Sequence, residues 1–250
     1  MTNLSEKTLK HQKSPKDYIQ NYWSERADDF AELRRQELHS EKHLQWQQEI
    51  TRHFPANRQL RILDVGCGAG FFSVLLAQNG HRLTGIDLTP AMIVQAQELA
   101  VEAACNCTFQ TADAEQLEFA DASFDVVIAR NLMWNLPNPA KAYREWLRVL
   151  APSGILLNYD AEYAKDHHHQ KLPALNAHVQ VPAELLEQCH NIYHMLDISL
   201  YQRPTWDLEL LQGLGNCTCC VDTTVGDRLY NKEDIFYIPV PMFCVKAIKI

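Results

Sequence analysis

The stretch Ile62-Leu63-Asp64-Val65-Gly66-Cys67-Gly68-Ala69-Gly70 constrains this 250-residue chain more than any other. An apolar run that ends in Gly-x-Gly-x-Gly presents bare backbone at the carboxyl end of a strand, where a Cβ would block the turn or a close-lying ligand. Phe71 to Gln78 follows as a short apolar helix ended by Asn79-Gly80, so the glycines occupy a strand-to-helix loop. In open α/β sheets such loops bind ligands outside the strand ends.

The residues around the loop select among cofactors. A dinucleotide fingerprint needs its third small residue at position 71, where this chain carries Phe71. Asp64, just ahead of the glycines, would repel a pyrophosphate and tolerate a cationic or zwitterionic ligand. Both features favour a cofactor without phosphates.

Asp64-Val65-Gly66-Cys67-Gly68-Ala69-Gly70 resembles the first motif of the class I S-adenosylmethionine-dependent methyltransferases, and four further stretches resemble that family in order. Thr84-Gly85-Ile86-Asp87 ends the next apolar run in an acid. The resemblance sets both ribose hydroxyls against Asp87, beside Leu88, and a carboxylate can accept two hydrogen bonds from a cis-diol. Met92 matches a position against the adenine. Thr111-Ala112-Asp113-Ala114-Glu115 is similar to the motif in which Asp113 accepts the adenine amino group and Ala114 offers a backbone amide. Ser123 to Asn131 resembles the fourth-strand motif, whose last residues, Arg130 and Asn131, line the methionine end. Trp146 to Leu157 resembles the helix, turn and fifth strand, with Ser153 where the family usually has a double glycine, so an altered turn is expected there. The likeness runs from Tyr22 to Tyr159. It implies S-adenosyl-L-methionine as cofactor and S-adenosyl-L-homocysteine as product, with further cofactor contacts from Tyr22, Asp64, Gly66, Cys67, Gly68 and Gly70. Taken singly, Asp64 and Asp113 read equally well as caps of a turn or helix.

Arg130 to Pro139 resembles the ubiquinone/menaquinone-biosynthesis-like branch, of methyltransferase domain 11/25 type, which contains many small-molecule enzymes. The acidic-Pro-Pro-Tyr or Asn-Pro-Pro-Tyr pattern of enzymes that methylate nucleic-acid amines or protein glutamine is absent from this stretch. Oxygen, nitrogen, carbon and sulfur acceptors all stay open.

Composition agrees. A formal charge of -8, with scattered Lys and Arg, gives no footprint for duplex nucleic acid. Met1 to Lys16 is polar and no run approaches the length of a membrane span, so a cytoplasmic protein without membrane association is expected. Of the 8 cysteines, only Cys217 and Cys220 have C-x-x-C spacing, and a lone pair argues weakly for metal. Cys67, Cys107 and Cys244 read as small apolar residues, and Asp166-His167-His168-His169 with His178, His190 and His194 as solvated loop histidines. No metal site is expected, and the oligomeric state is not fixed.

The expected fold is α/β: a three-layer, doubly wound, mostly parallel seven-stranded sheet with a C-terminal antiparallel hairpin, N-terminal helices and a lid-like insertion. Apolar periodicity divides the chain into an N-terminal helical cap, residues 1–55, and a methyltransferase domain, residues 56–250, with the insertion at 163–205. The cap reads as two helices, one carrying Tyr18, Tyr22, Trp23, Ala27, Phe30 and Leu33, the other Leu44, Trp46 and Ile50. Further helices are predicted over Pro90–Ala104, Pro139–Leu150, Ala183–Cys189 and Trp206–Leu214, and the last two strands near Cys219–Val225 and Met242–Ile250.

A methyl transfer by in-line displacement needs a positioned nucleophile and exclusion of water; a base helps only where the acceptor must lose a proton. Asp160, at the end of the fifth strand, is the candidate base, and reads equally well as a cap. Tyr18, like Tyr22, is a candidate for closing the methyl site. Trp23, Trp134 and Arg203 are candidates for the pocket of a small-molecule acceptor. Two other functions remain open from sequence: a metal- or metalloid- and thiol-directed methyltransferase using Cys and His, and a non-catalytic, regulatory S-adenosylmethionine-binding protein.

Overall fold

In the computed structural model, which describes residues 13–162 and 172–250, the sheet is built outward from the strand that feeds the glycine loop. This strand, β1 (Arg61–Val65), is parallel to β2 (Arg82–Asp87) on one side and to β4 (Phe124–Arg130) on the other. Beyond β2 lies β3 (Cys107–Thr111), and beyond β4 lies β5 (Leu150–Asp160). Two strands, β6 (Cys217–Asp222) and β7 (Phe243–Lys249), complete the order β3-β2-β1-β4-β5-β7-β6, with β7 antiparallel to both its neighbours. The order reverses between β1 and β4, and the crevice outside their carboxyl ends is where such sheets bind ligands.

Both faces of the central strands are apolar because both are covered. Leu63 and Val65 of β1 and Val127 and Ala129 of β4 join one core. Ile62, Val126 and Ile128 join a second core on the opposite face with Phe71, Phe72 and Trp46. The helices between the strands keep close to their expected bounds: α4 is Phe71–Gln78, α5 is Pro90–Glu102 and α6 is Pro139–Val149. At Ser153 the chain takes φ 60°, and the β4–β5 register shifts between Phe124 and Val126. A Cβ on Gly154 would lie 2.7 Å from the Ala151 carbonyl oxygen, so one glycine of that turn is sterically required and a serine bears the left-handed angle.

The N-terminal segment forms three helices where two are expected: α1 (Pro15–Glu25), α2 (Ala27–Leu38) and α3 (Glu41–Thr51). The break at Arg26 has near-helical angles, φ −91° and ψ −5°, so the apolar spacing runs through it unmarked. Ser14 caps α1 with a capping box. Trp46 of α3 is buried edge-on against Phe72, 4.9 Å between ring centroids, and Tyr159 at 5.3 Å.

Within the expected insertion, α7 (Ala183–Met195) continues six residues past its predicted end at Cys189. Next comes α8 (Thr205–Leu214), closed by Gly215 at φ 71°. The last two strands are joined through a short helix, α9 (Val225–Leu229), rather than a tight turn. The His167–His169 tract lies outside the described residues.

Candidate active site

At the β1–α4 turn, Gly66 and Gly68 take φ 65° and 52°. A Cβ on Gly66 would stand 2.6 Å from the Leu132 side chain, and one on Gly68 3.1 Å from the Phe30 ring. These two glycines and Cys67 line a cavity of about 210 Å³ at the switch point. Gly70 stands apart from it: at φ 85° it starts α4, and a Cβ there would meet Ala96 of α5 at 3.0 Å. Its glycine serves helix packing.

Three carboxylates from successive strand ends reach the cavity. Asp64 is 2 % exposed and accepts the Ser73 hydroxyl at 2.7 Å. Burial, reinforced by the Asp87 charge, outweighs that hydrogen bond and the attraction of Arg130, pushing the Asp64 carboxyl up to about 7. Asp87 accepts the Gly68 amide at 3.0 Å and the Thr89 amide at 2.8 Å, and burial raises its pKa as well. Asp113 accepts the Glu115 amide at 2.9 Å and pairs with Lys16 of α1 at 2.6 Å. It is therefore both a local cap and a cavity residue. Lys16 also meets Glu115 at 2.6 Å; burial weakens its charge, but the two carboxylates prevail and its pKa is raised. Leu88, Met92 and Ala114 complete this end.

Past β4, Arg130 and Asn131 line the wall. Asn131 is left-handed at φ 55°, an angle disfavoured for a side-chain-bearing residue. The Arg130 guanidinium donates to Glu37 of α2 at 2.8 Å and to the Tyr230 hydroxyl at 3.1 Å, and lies over the Trp46 ring. Arg34 pairs with the same Glu37 at 2.6 Å. Burial opposes ionisation of Glu37, yet Arg130 and Arg34 outweigh it and hold the carboxyl below its ordinary value. Two guanidiniums thus share one buried carboxylate.

The remaining wall is aromatic and apolar. Tyr22 and Trp23 of α1 meet edge-on at 5.1 Å, and Trp134 lies 6.5 Å from Trp23. Leu186 and Cys189 of α7, His178, Phe236 and Ile238 close the side formed by the insertion and the β6–β7 connection. Asn131 Oδ1, Trp134 Nε1 and Asn135 Oδ1 are buried on this lining with no hydrogen-bond partner among the described residues. Such atoms cost free energy unless a ligand or water satisfies them.

Three other sequence-predicted site residues lie elsewhere. Tyr18 is 42 % exposed and outside the cavity lining. Asp160 is fully buried away from it, accepting the Met133 and Ala161 amides and pairing with Arg203 at 2.7 Å. Arg203 in turn donates to Asp207, whose carboxylate accepts the Tyr143 hydroxyl at 2.6 Å. Asp160 and Arg203 thus tie the end of β5 to α8, with no face left toward an acceptor. Lys16, Arg26, Phe30, Arg34, His178 and Cys189 were not anticipated at the cavity. The acid-and-aromatic pattern of α1 and α2 gave their faces no distinct signature.

Among the described residues, no group of three His, Cys, Asp or Glu side chains is placed to hold a metal ion. No described helix is long and apolar enough to cross a membrane.

A glycine-lined cavity at the switch point of a 3-2-1-4-5-7-6 sheet, with an acid at the ends of β1 and β2 and after β3, defines the class I S-adenosylmethionine-dependent methyltransferases. Residues 63–158 match the family model described as Methyltransferase domain, and that match together with the curated relatives supports a class I S-adenosylmethionine-dependent methyltransferase. Among curated relatives the chain is 36% identical over 95 residues to a ubiquinone biosynthesis O-methyltransferase of Pseudomonas fluorescens, covering 38% of this chain and 41% of that one. It is 31% identical over 172 residues to the 27-O-demethylrifamycin SV methyltransferase of Amycolatopsis mediterranei, covering 62% and 63%. The chain therefore spans only about two fifths of the length of the Pseudomonas relative. Similar solved structures include an S-adenosylmethionine-dependent methyltransferase of Aquifex aeolicus, with TM-score 0.55, 17% identity and coverage of 86% and 96%. Another is the Haemonchus contortus phosphoethanolamine N-methyltransferase 2 in complex with S-adenosyl-L-methionine, with TM-score 0.56, 19% identity and coverage of 82% and 52%.

Proposed function

We propose that this chain transfers the methyl group of S-adenosyl-L-methionine to a small-molecule acceptor. The observation that carries the reading is the switch-point cavity itself, in which an acid and glycine cradle on one side faces an apolar wall bearing unpartnered polar atoms on the other. The residues fit the cofactor: a Cβ on Gly66 or Gly68 would intrude on the cradle, and Asn131 Oδ1 lacks a partner at its methionine end. When bound, the cofactor supplies an electrophilic methyl on a sulfonium.

In this reading Asp87 binds the ribose hydroxyls, Asp113 and the Ala114 amide read the adenine, and Met92 and Leu88 pack against it. Asp64 and Asn131 face the ammonium, and Arg34 and Arg130 the carboxylate, of the methionine part. Trp23 and Trp134 exclude water from the methyl site and orient the acceptor, which is where much of the rate of such a displacement arises. His178 replaces Asp160 as the candidate proton acceptor. Tyr22, raised above its ordinary range chiefly by burial, stays a phenol and donates. Residues 1–55 act as a helical cap on the domain of 56–250. The relatives named for ubiquinone biosynthesis and rifamycin support a small organic acceptor. All eight cysteines are unpaired, which suits the reducing cytoplasm.

Titration calorimetry with S-adenosylmethionine and S-adenosylhomocysteine tests the first half, and a screen of metabolite fractions for labelled-methyl incorporation the second. Binding of neither compound would sink the proposal. Binding without incorporation into any fraction would favour a regulatory protein.

A further inference from the structure

We propose that Arg26 holds the carboxylate of the acceptor, so that the acceptors of this site are small aromatic or aliphatic acids. The inference rests on the methyl-transfer reading and deepens it.

Arg26 sits at the junction of α1 and α2, where its amide donates to the Tyr22 carbonyl at 3.1 Å, and its side chain lines the cavity while only 6 % of the residue is exposed. A buried guanidinium needs an anion and hydrogen-bond acceptors. Here Nε meets Asp29 at 3.1 Å and Nη1 the Tyr22 hydroxyl at 3.1 Å. The Asp29 side chain is 59 % exposed, and a pair with one member in water neutralises its partner weakly.

The acids of the cavity lining do not supply the deficit. Asp64, Asp87 and Asp113 all stand at the β1, β2 and β3 ends, and Asp113 already faces Lys16. The wall that α1 and α7 make together brings Tyr22 and Cys189 near Arg26, and its lining residues include no carboxylate. Trp134 Nε1 adds a second donor that has no partner among the described residues. A planar guanidinium facing an apolar slot selects a planar anion with an apolar body, and a carboxylate matches its fork.

The test uses phenylacetate and phenylacetamide, which share a shape and differ in charge, titrated into the full chain saturated with S-adenosylhomocysteine. Phenylacetate should bind at least about tenfold tighter. Arg26→Gln should erase that preference while its affinity for S-adenosylhomocysteine stays within about twofold of wild type, and Arg26→Lys should keep part of the preference. Phenyl phosphate in a third arm separates carboxylate recognition from general anion binding, and tighter binding of the phosphate overturns the carboxylate assignment. Equal binding of phenylacetate and phenylacetamide, or binding of neither at millimolar concentration, also overturns it. So does a preference that survives in Arg26→Gln, or loss of S-adenosylhomocysteine binding in that variant with an unchanged melting curve, which would give the guanidinium to the cofactor. The wild-type comparison and Arg26→Lys decide the matter if Arg26→Gln fails to fold. Should the wild type fail to bind S-adenosylhomocysteine, the cofactor reading falls by itself, and the same probes are compared on the ligand-free chain.

Discussion

The Asp87 carboxylate accepts the backbone amide of Gly68 at 3.0 Å, fastening the glycine loop to the end of β2. Its other oxygen accepts the Thr89 amide at 2.8 Å, so both oxygens are engaged and each keeps a lone pair for a diol. Asp87→Ala is expected to weaken S-adenosylmethionine binding by about 1–3 kcal/mol, the scale of hydrogen bonds to a charged group. It should also lower the melting temperature of the ligand-free protein, since two amides lose their acceptor. Calorimetry and a thermal melt read the two effects separately, and unchanged affinity would count against the ribose role.

Asp64 gives a pH dependence with a defined sign. Its carboxyl titrates near 7 in the folded chain, chiefly because it is buried, against an ordinary value of 3.8. The folded state therefore holds a proton that the unfolded state has released. The stability this provides is full below about pH 4 and is lost as pH rises to about 7. Asp64→Asn should make the ligand-free protein about 1–3 kcal/mol more stable at pH 8, as read by urea unfolding. A ligand ammonium favours the ionised carboxylate, so wild-type affinity should strengthen as pH rises through 7, with proton release on binding. The variant should bind more weakly and without that pH step. An Asp64→Asn profile that keeps the step would assign it to another group.

The strand-end half of the site was legible in the sequence because its residues sit at fixed offsets from apolar runs. Asp64, Asp87 and Asp113 each fall at or just past a strand end, and the bounds of α4 follow from Gly70 before it and Asn79-Gly80 after it. The other half depends on pairs far apart in the chain. Glu37 and Arg130 are separated by 93 residues, and an amphipathic helix does not announce which of its charges will be buried. Asp160 misled for the same reason: a carboxylate at a strand end reads as functional until its distant partner, Arg203, is seen to occupy it.

Two glycines of the loop should separate binding from packing. Gly68→Ala crowds Phe30 and forces an alanine to φ 52° at the cavity wall. It should cost about 1–2 kcal/mol of stability, and cofactor affinity with it. Gly70→Ala imposes φ 85° and a 3.0 Å approach to Ala96 between α4 and α5, away from the cavity. A stability loss of about 1–3 kcal/mol is expected there, with cofactor affinity per folded molecule nearly unchanged. Equal loss of affinity in both variants, measured by calorimetry at a temperature where each is folded, would return Gly70 to the binding surface.

Asp160 is the residue whose substitution best separates a catalytic from a structural carboxylate. Burial raises its pKa, against the pull of the Arg203 charge, and its oxygens already accept two backbone amides and the guanidinium. Removing it leaves Arg203, 2 % exposed at its side chain, with Asp207 alone and orphans the Met133 amide. Breaking a buried pair from one side costs about 3–5 kcal/mol, so Asp160→Ala should unfold at markedly lower urea concentration. A double substitution, Asp160→Ala with Arg203→Met, also strands the fully buried Asp207 carboxylate that Arg203 pairs at 2.8 Å, and should be less stable than Asp160→Ala alone. At a temperature where the single variant stays folded, its methyl-transfer pH profile should overlay the wild type. A profile shifted or flattened by Asp160→Ala, with stability little changed, would make this carboxylate the base after all.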